Sequence, residues 1–166
     1  MKKKITTFLT FKDQAEEAVK VYTSIFKNSR ITSASRYGDA GPGPKGSLMA
    51  ANFELDGQEF VALNGGAPFD FSQGFSLLID CETQAEIDMF WEKLSEGGEP
   101  GRCGWLTDRF GVSWQVVPRV LSQLLSDPDP ARAGRAMNAM LQMNKLDIAQ
   151  LEQAANGGAV EATSRR

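Results

Sequence analysis

Residues 13–26, DQAEEAVKVYTSIF, and residues 83–94, TQAEIDMFWEKL, are two versions of one helical segment. Each begins with a possible capping box, for which Asp13 and Thr83 are the expected N-caps. Shifted by 69 positions, the first apolar face lies on the second: Ala18, Val21, Tyr22 and Ile25 on Ile87, Phe90, Trp91 and Leu94. Because repeats outrank local signals, the pair predicts a duplicated β-α unit.

Strands are predicted around both helices from runs of β-branched and aromatic residues. In the first half they cover residues 5–11, 30–37, 48–55 and 59–63. The last two are joined by Asp56-Gly57, which is a strong hairpin signal. In the second half they cover residues 75–79, 103–107 and 113–117. The first half is therefore predicted as β-α-β-β-β, and the second half begins the same pattern.

From Arg119 onward the pattern predicts helices. Asp129 followed by Pro130 offers an N-cap with proline at the first helical position, and Asp147 offers another N-cap. This segment predicts a helical extension over residues 119–155. We expect one domain over residues 5–155, because 166 residues is an ordinary single-domain length, and a disordered tail over residues 156–166.

The composition contains no histidine among 166 residues. This absence excludes Ser-His-Asp and Cys-His nucleophile systems and the HExxH zinc site. General acid–base chemistry would need Asp, Glu, Lys, Tyr or Cys. The net charge of −3 provides no basic field, so nucleic acid is not an expected partner.

Cys81 and Cys103 form no CxxC motif, and two free thiols suit a reducing compartment. The basic start of the chain is followed by charges at residues 12–17, so no signal peptide is predicted. No apolar stretch approaches the length of a membrane span. We therefore expect a cytoplasmic protein that has no membrane partner.

Residues 103–118, CGWLTDRFGVSWQVVP, are the most specific segment for family resemblance. Together with residues 8–22 and 135–152, they resemble the PhnB-like branch of the vicinal oxygen chelate (glyoxalase/bleomycin-resistance/dioxygenase) superfamily. That branch carries the family label 3-demethylubiquinone-9 3-methyltransferase. The resemblance implies an α+β fold in which two βαβββ modules, about residues 5–66 and 74–118, form an incompletely closed, cup-like barrel.

The resemblance also implies four positions at which enzymes of the superfamily hold a divalent metal. They fall on Thr6, Asn64 (or else Leu63), Gly74 and Gln115. These residues offer no imidazole and no carboxylate to offset the desolvation of a cation. We therefore predict no metal and no cofactor.

A ligand cavity inside the cup is the alternative use of these positions. If Thr6 faces the cavity, strand alternation places Phe8 and Thr10 there, and the same parity adds Ser76 and Leu78. Asn64 and Gln115 are family positions, and Trp105 is the tryptophan that remains as a ligand contact once the other two are assigned to the core. The candidates are Thr6, Phe8, Thr10, Asn64, Ser76, Leu78, Trp105 and Gln115. Such a set is apolar with a few hydroxyl and amide groups, which is typical of small-ligand sites, but it is equally typical of ordinary sheet interiors.

Residues 38–46, GDAGPGPKG, lack the following helix that a phosphate or dinucleotide cradle needs, so we interpret them as a loop at the rim of the cup. No strand-to-helix glycine turn is present for S-adenosylmethionine, and the methyltransferase label is treated as a family name.

Two functions remain open. The first is a small-molecule binding protein of the glyoxalase/bleomycin-resistance type without the family metal. The second is an enzyme of the same superfamily (a lyase, a dioxygenase or the labelled methyltransferase), with non-standard ligands or with Tyr37, Glu54 or Asp80 as acid–base groups. In either case we expect a homodimer, because the apolar surface of residues 131–155 exceeds what two short helices can hide.

Overall fold

Two β-α-β-β-β modules follow one another along the chain, and three helices follow the second module. The computed structural model describes residues 5–39, 41, 43–71 and 74–158. The elements of the first module are β1 (Thr7–Phe11), α1 (Ala15–Ile25), β2 (Arg30–Arg36), β3 (Leu48–Leu55) and β4 (Gln58–Asn64). Those of the second are β5 (Leu77–Cys81), α2 (Gln84–Ser95), β6 (Glu99–Pro100), β7 (Trp105–Thr107) and β8 (Ser113–Pro118).

Each module has its own open four-stranded sheet with the same strand order. The first order is β1-β4-β3-β2 and the second is β5-β8-β7-β6. In both sheets the first strand of the module pairs in parallel with the last, and the other pairs are antiparallel. Identical topology confirms the duplication and the tandem βαβββ fold.

The chain divides into two compact units, Met1–Asp70 and Phe71–Arg166. Each unit contains one complete module, and the second also contains the C-terminal helices. The expectation that residues 5–155 behave as one domain stays a prediction.

The first sheet buries one face, and α1 packs on that face at β3 and β4. Leu9 and Phe11 of β1 are buried there, as strand alternation predicts. Phe53 and Phe60 stack beside them with ring centroids 5.3 Å apart. The hairpin between β3 and β4 turns at Asp56 and Gly57, and both residues have the positive φ that a two-residue hairpin turn requires.

The second sheet is built in the same way, with α2 packed on β7 and β8. Its buried face is formed by Cys81, Leu106, Trp114 and Val116. Trp114 is 2% exposed and belongs to the core, whereas Trp91 on α2 is half-buried.

The structure differs from the prediction at one helix cap, at several strand ends and in one additional strand. Helix α1 begins after Gln14 without a side-chain cap, so Asp13 is not its N-cap. Strands β1, β5 and β7 each begin two residues later than predicted, at Thr7, Leu77 and Trp105, and β5 also ends two residues later, at Cys81. Strand β6 was not predicted, because its two residues are too few for a periodic signal and one of them is proline.

The helical extension consists of α3 (Val120–Leu125), α4 (Pro130–Gln142) and α5 (Ile148–Ala155). Asp129 and Asp147 cap α4 and α5 as predicted. Apolar residues of all three helices form one buried cluster, which includes Leu121, Ala136, Met143, Leu146 and Leu151.

Met137 and Leu141, one turn apart on α4, stay 40% and 45% exposed. Of the predicted tail, residues 159–166 lie outside the described residues. Within the described part of the chain, no helix combines the length and the apolar character that crossing a membrane would require.

Candidate functional site

The open face of the second sheet, opposite the face covered by α2, brings three of the predicted cavity residues together. Leu78 pairs with Gln115, and Gln115 pairs with Trp105. Since paired residues point to the same side of a sheet, these side chains form one row across β5, β8 and β7. Leu78 is 58% exposed and Trp105 is 37% exposed, so two large apolar side chains flank an amide outside the core.

A hydrogen bond orients the amide in the middle of this row. Gln115 Nε2 donates to Ser76 Oγ at 2.9 Å, which brings a fourth predicted residue to the same place. The remaining acceptor, Gln115 Oε1, has no partner among the described residues. The row therefore combines apolar contact surface with an oriented hydrogen-bonding group, as small-molecule sites do.

A groove of about 320 Å³ lies beside the row, along β6 and β7. Its lining residues are Glu99, Pro100, Gly101, Trp105, Leu106, Thr107 and Ser113. Glu99, Thr107 and Ser113 form the next row of the sheet, because Glu99 pairs with Thr107 and Thr107 pairs with Ser113. The volume is at the lower end of the range of small-ligand pockets, about 300–1,000 Å³.

Sequence reasoning missed most of this groove, although it identified Trp105. Glu99 and Pro100 belong to the unpredicted β6, and Thr107 and Ser113 had been assigned only as strand residues. Strand pairing is what places these residues beside Trp105, and pairing is not visible in a local pattern. The alternation of residues 105 and 107 was the one available signal.

Asp108 stabilises the turn between β7 and β8, directly after the groove residue Thr107. Its Oδ1 accepts hydrogen bonds from Phe110 N–H and Val112 N–H at 2.9 and 3.0 Å. Its Oδ2 accepts one from Trp114 Nε1–H at 2.8 Å. This side chain is buried, so the three donors compensate for the desolvation of its carboxylate. Asp108 is a structural residue of the site.

The candidates of the first unit divide between the two faces of the first sheet. Phe8, 54% exposed, and Thr10 lie on the open face, and Thr6 is exposed just before β1. Asn64 pairs with Phe11 and lies on the opposite, buried face. Leu63, the alternative to Asn64, pairs with Thr10 and shares its face. A ligand-binding role for any of these residues stays a prediction.

Asn64 has a structural task on the buried face. Its Oδ1 accepts a hydrogen bond from Ala15 N–H at 2.8 Å, at the beginning of α1, and its Nδ2 donates to Leu48 O at 3.0 Å. The backbone oxygen of Asn64 accepts a third bond, from the Tyr37 hydroxyl at 2.5 Å. The side chain therefore joins α1 to β3 and β4.

The four positions that the superfamily uses for a divalent metal do not fit one in this chain. Thr6 offers a hydroxyl, Gly74 has no side chain, and Gln115 offers a neutral amide. The oxygen of the Asn64 amide is already an acceptor for Ala15. No carboxylate or imidazole offsets the charge of a cation here. Among the described residues, no group of three or more His, Cys, Asp or Glu could hold a metal ion.

The three acid–base candidates are engaged elsewhere. The Tyr37 hydroxyl donates to Asn64 O, as described. Glu54 forms an ion pair with Arg30 at 3.2 Å, and Asp80 forms one with Arg119 at 2.8 Å. None of the three lines the groove beside Trp105.

Gly41 and Gly43, in the predicted loop, lie against the Tyr37 ring. A Cβ added at Gly41 or Gly43 would lie 2.7 or 2.3 Å from ring carbon atoms, so only glycine fits at either position. Ala40 and Pro42 of this loop lie outside the described residues. Packing around an aromatic side chain, and not phosphate binding, accounts for these two glycines.

Neither thiol lies in the groove. Cys81 is buried, and burial, with smaller effects from Glu86 and Asp80, raises its pKa to about 12. Cys103 is partly buried in the turn before β7. The Cys81 thiolate is thus suppressed at neutral pH, and Cys81 has no nucleophilic role.

Comparisons with known proteins agree with this architecture. A sequence profile of the family described as 3-demethylubiquinone-9 3-methyltransferase matches residues 3–117. The chain is similar to a solved structure described as a putative 3-demethylubiquinone-9 3-methyltransferase, PhnB protein, from Bacillus cereus. The identity is 43% and the TM-score is 0.64, over 70% of this chain and 99% of that chain.

Two further solved structures are more distant. Protein PA1353 from Pseudomonas aeruginosa shares 24% identity with a TM-score of 0.59, over 70% of this chain and 98% of that chain. The fosfomycin resistance protein FosX from Mesorhizobium loti shares 15% identity with a TM-score of 0.47, over 69% of this chain and 89% of that chain. No curated protein matches the chain.

Proposed function

We propose that this chain, which belongs to the 3-demethylubiquinone-9 3-methyltransferase family within the vicinal oxygen chelate superfamily, is a small-molecule binding protein that works without the family metal. The observation that carries the proposal is the row of Leu78, Gln115 and Trp105, beside a groove of about 320 Å³. Exposed apolar side chains around an oriented amide are typical of a surface that binds another molecule.

The residues of the row and the groove indicate the chemistry of the ligand. Trp105 and Leu78 provide apolar surface, and an indole ring favours stacking with a flat group. Gln115 Oε1 accepts a hydrogen bond, and the hydroxyls of Thr107 and Ser113 donate or accept one. The ligand class is therefore a compact, partly apolar molecule with a planar group and at least one hydrogen-bond donor.

The binding experiment is a fragment screen by saturation-transfer NMR with the full chain, using planar aromatic amides and alcohols as probes. For a probe that binds, Trp105→Ala should weaken the affinity at least about tenfold, about 1.4 kcal/mol. Ile31→Ala is the matched control, because it removes a large apolar side chain of similar exposure, 44% against 37%, from β2 of the first module. Equal binding by wild type and Trp105→Ala would overturn the proposed site.

Metal independence is tested separately by isothermal titration of the full chain with Zn²⁺, Mn²⁺ and Ni²⁺. We expect no saturable site tighter than about 10 µM, since the four family positions present neutral donors only. A sub-micromolar site that Gln115→Ala abolishes would contradict this part of the proposal.

Incubation of each binding probe with the protein, followed by mass spectrometry, separates binding from turnover, and conversion of a probe would establish the enzyme alternative.

The homodimer is part of the proposal. Met137 and Leu141 are exposed one turn apart on α4, and a second copy of the chain would cover them. Light scattering at micromolar concentration should give about twice the chain mass, and Leu141→Glu should give the monomer mass. A full-length monomer at high concentration would contradict a dimer.

A cytoplasmic location, in which both free cysteines stay reduced, completes the proposal.

A further inference from the structure

The turn before Trp105 is attached to the helical extension. Arg102, Cys103 and Gly104 form this turn, and the partner groups lie at the end of α4 and just after it. Three hydrogen bonds join them: Arg102 Nη2 to Leu141 O at 3.3 Å, Cys103 N–H to Met143 O at 2.8 Å, and Gly104 N–H to Asn144 O at 2.7 Å. The turn therefore takes its shape partly from the extension.

Leu146 completes this attachment by packing. Its side chain is fully buried and lies against Gly104, where an added Cβ would come within 3.1 Å of Leu146 Cδ1 and 2.6 Å of Val116 O. Gly104 also has φ of +83°, which other residues rarely adopt. The turn is thus held between the extension on one side and β8 on the other.

The segment that carries Leu146 is itself anchored to α2. Gln84 Nε2 donates to Leu146 O at 3.2 Å, and Gln84 Oε1 accepts from Ile148 N–H at 2.9 Å. Lys145 forms an ion pair with Asp88 at 2.6 Å. Because these contacts do not involve the turn, the segment is a fixed support for it.

The backbone of Trp105 follows the turn directly. Trp105 N–H donates to Arg102 O at 3.0 Å, and Gly101 N–H donates to Trp105 O at 2.8 Å. Gly104 O, in turn, accepts from Val116 N–H at 2.8 Å. A displacement of the turn must therefore move Trp105 relative to Gln115, its neighbour in the row.

We infer that the helical extension positions Trp105 for ligand binding and that Leu146 is the positioning residue. The family profile ends at residue 117, so the helices that provide this support lie outside the matched segment. The inference rests on the proposed function for the role of Trp105, and it adds that a buried residue outside the groove holds Trp105 in position. The attachment itself is measurable without any ligand.

The test uses the full chain labelled with 5-fluorotryptophan and observed by ¹⁹F NMR. Three resonances are expected, and Trp105→Phe assigns one of them. Leu146→Ala should shift and broaden the Trp105 resonance. Leu151→Ala is the matched control, because Leu151 is also fully buried in the extension cluster but lies on α5. The control should leave the Trp105 resonance in place.

Amide hydrogen exchange gives a second readout on the same samples. Leu146→Ala should increase the exchange rates of the Cys103 and Gly104 amides about tenfold more than Leu151→Ala does. An unchanged Trp105 resonance, or equal effects of both variants, would overturn the inference. If Leu146→Ala does not fold, Leu146→Val is measured against Leu151→Val in the same way. Because no ligand is used, an empty fragment screen would count against the proposed function and not against the attachment.

Discussion

Helices α1 and α2 begin in different ways, although the same sequence pattern predicts both. At α2 the pattern works locally: Thr83 Oγ1 accepts a hydrogen bond from Glu86 N–H at 3.2 Å, and a Glu86 carboxylate oxygen accepts one from Glu82 N–H at 2.7 Å. The segment thus satisfies two otherwise unpaired donors with its own side chains.

At α1 the same pattern is not used. Gln14 precedes the helix without a side-chain cap, and Ala15 N–H donates instead to Asn64 Oδ1, from β4. Glu16, which could have completed a capping box, bonds Arg36 and Lys20. The first helix is therefore capped by tertiary structure and the second by its own sequence. The two modules share a fold without sharing the interactions that specify it.

The largest expected effect is at the tertiary cap. Asn64→Ala leaves the Ala15 N–H and the Leu48 carbonyl without their buried partner. We expect a loss of about 2–4 kcal/mol in the free energy of unfolding, since each unpaired buried group costs about 1–3 kcal/mol. Urea denaturation followed by circular dichroism measures this loss.

Asn64→Asp separates the two bonds of the tertiary cap. Aspartate keeps the acceptor for Ala15 N–H and removes the donor to Leu48 O. At pH 7 a buried carboxylate would face the Leu48 carbonyl oxygen, so Asn64→Asp should destabilise the fold as much as Asn64→Ala or more. Its stability should recover towards acidic pH, where the protonated carboxyl group can donate to Leu48 O. A loss below about 0.5 kcal/mol for Asn64→Ala would show that α1 does not depend on this cap, since surface substitutions alone give such values.

A smaller effect is expected at the local cap. Thr83→Ala removes the acceptor for Glu86 N–H at an exposed helix end, where water can replace it. The free energy of unfolding should fall by about 1 kcal/mol, the usual cost of an N-cap. Thr83→Ser keeps the hydroxyl and should stay near the wild type. If Thr83→Ala cost as much as Asn64→Ala, the distinction between the two caps would be wrong.

The contrast between the caps also shows what could be predicted from the sequence. Features that depend on neighbours in the chain could be predicted, and the structure confirms them. They are the repeat, the hairpin at Asp56-Gly57 and the helices capped by Thr83, Asp129 and Asp147. The cap of α1 comes from a residue 49 positions away, and no local pattern reports it.

The candidate site shows the same contrast between features set by neighbours in the chain and features set by tertiary contacts. Strand alternation puts Leu78 and Gln115 on one side of the sheet, and strand pairing adds Trp105 to that side, because parity is regular within a strand. A ligand-binding role for these residues stays a prediction. Asn64 was grouped with Phe8 and Thr10 through family positions, but one step along β4 puts it on the other face. Glu99 and the support from Leu146 arise from pairing and packing, which appear only in three dimensions.

The smallest effect is expected at Glu16, which does not cap α1 and instead forms ion pairs with Arg36 and Lys20 on the surface. Hydrogen bonds from Arg36 and Lys20 lower the pKa of Glu16 from 4.5 to about 2. Because the folded-state pKa is the lower one, the ion pair stabilises the fold above about pH 4.5, and this contribution is lost as the pH falls towards 2.

Glu16→Gln should therefore be slightly less stable than the wild type at pH 7, by less than Thr83→Ala, since the pair is exposed and screened by salt. The difference should shrink between pH 4.5 and pH 2.5, as measured by urea midpoints at both pH values and at pH 7. Glu92→Gln, which removes an exposed carboxylate on α2, is the matched control for the change in net charge. A Glu16→Gln deficit that stays constant from pH 7 to pH 2.5 would mean that Glu16 stabilises the first module without its charge.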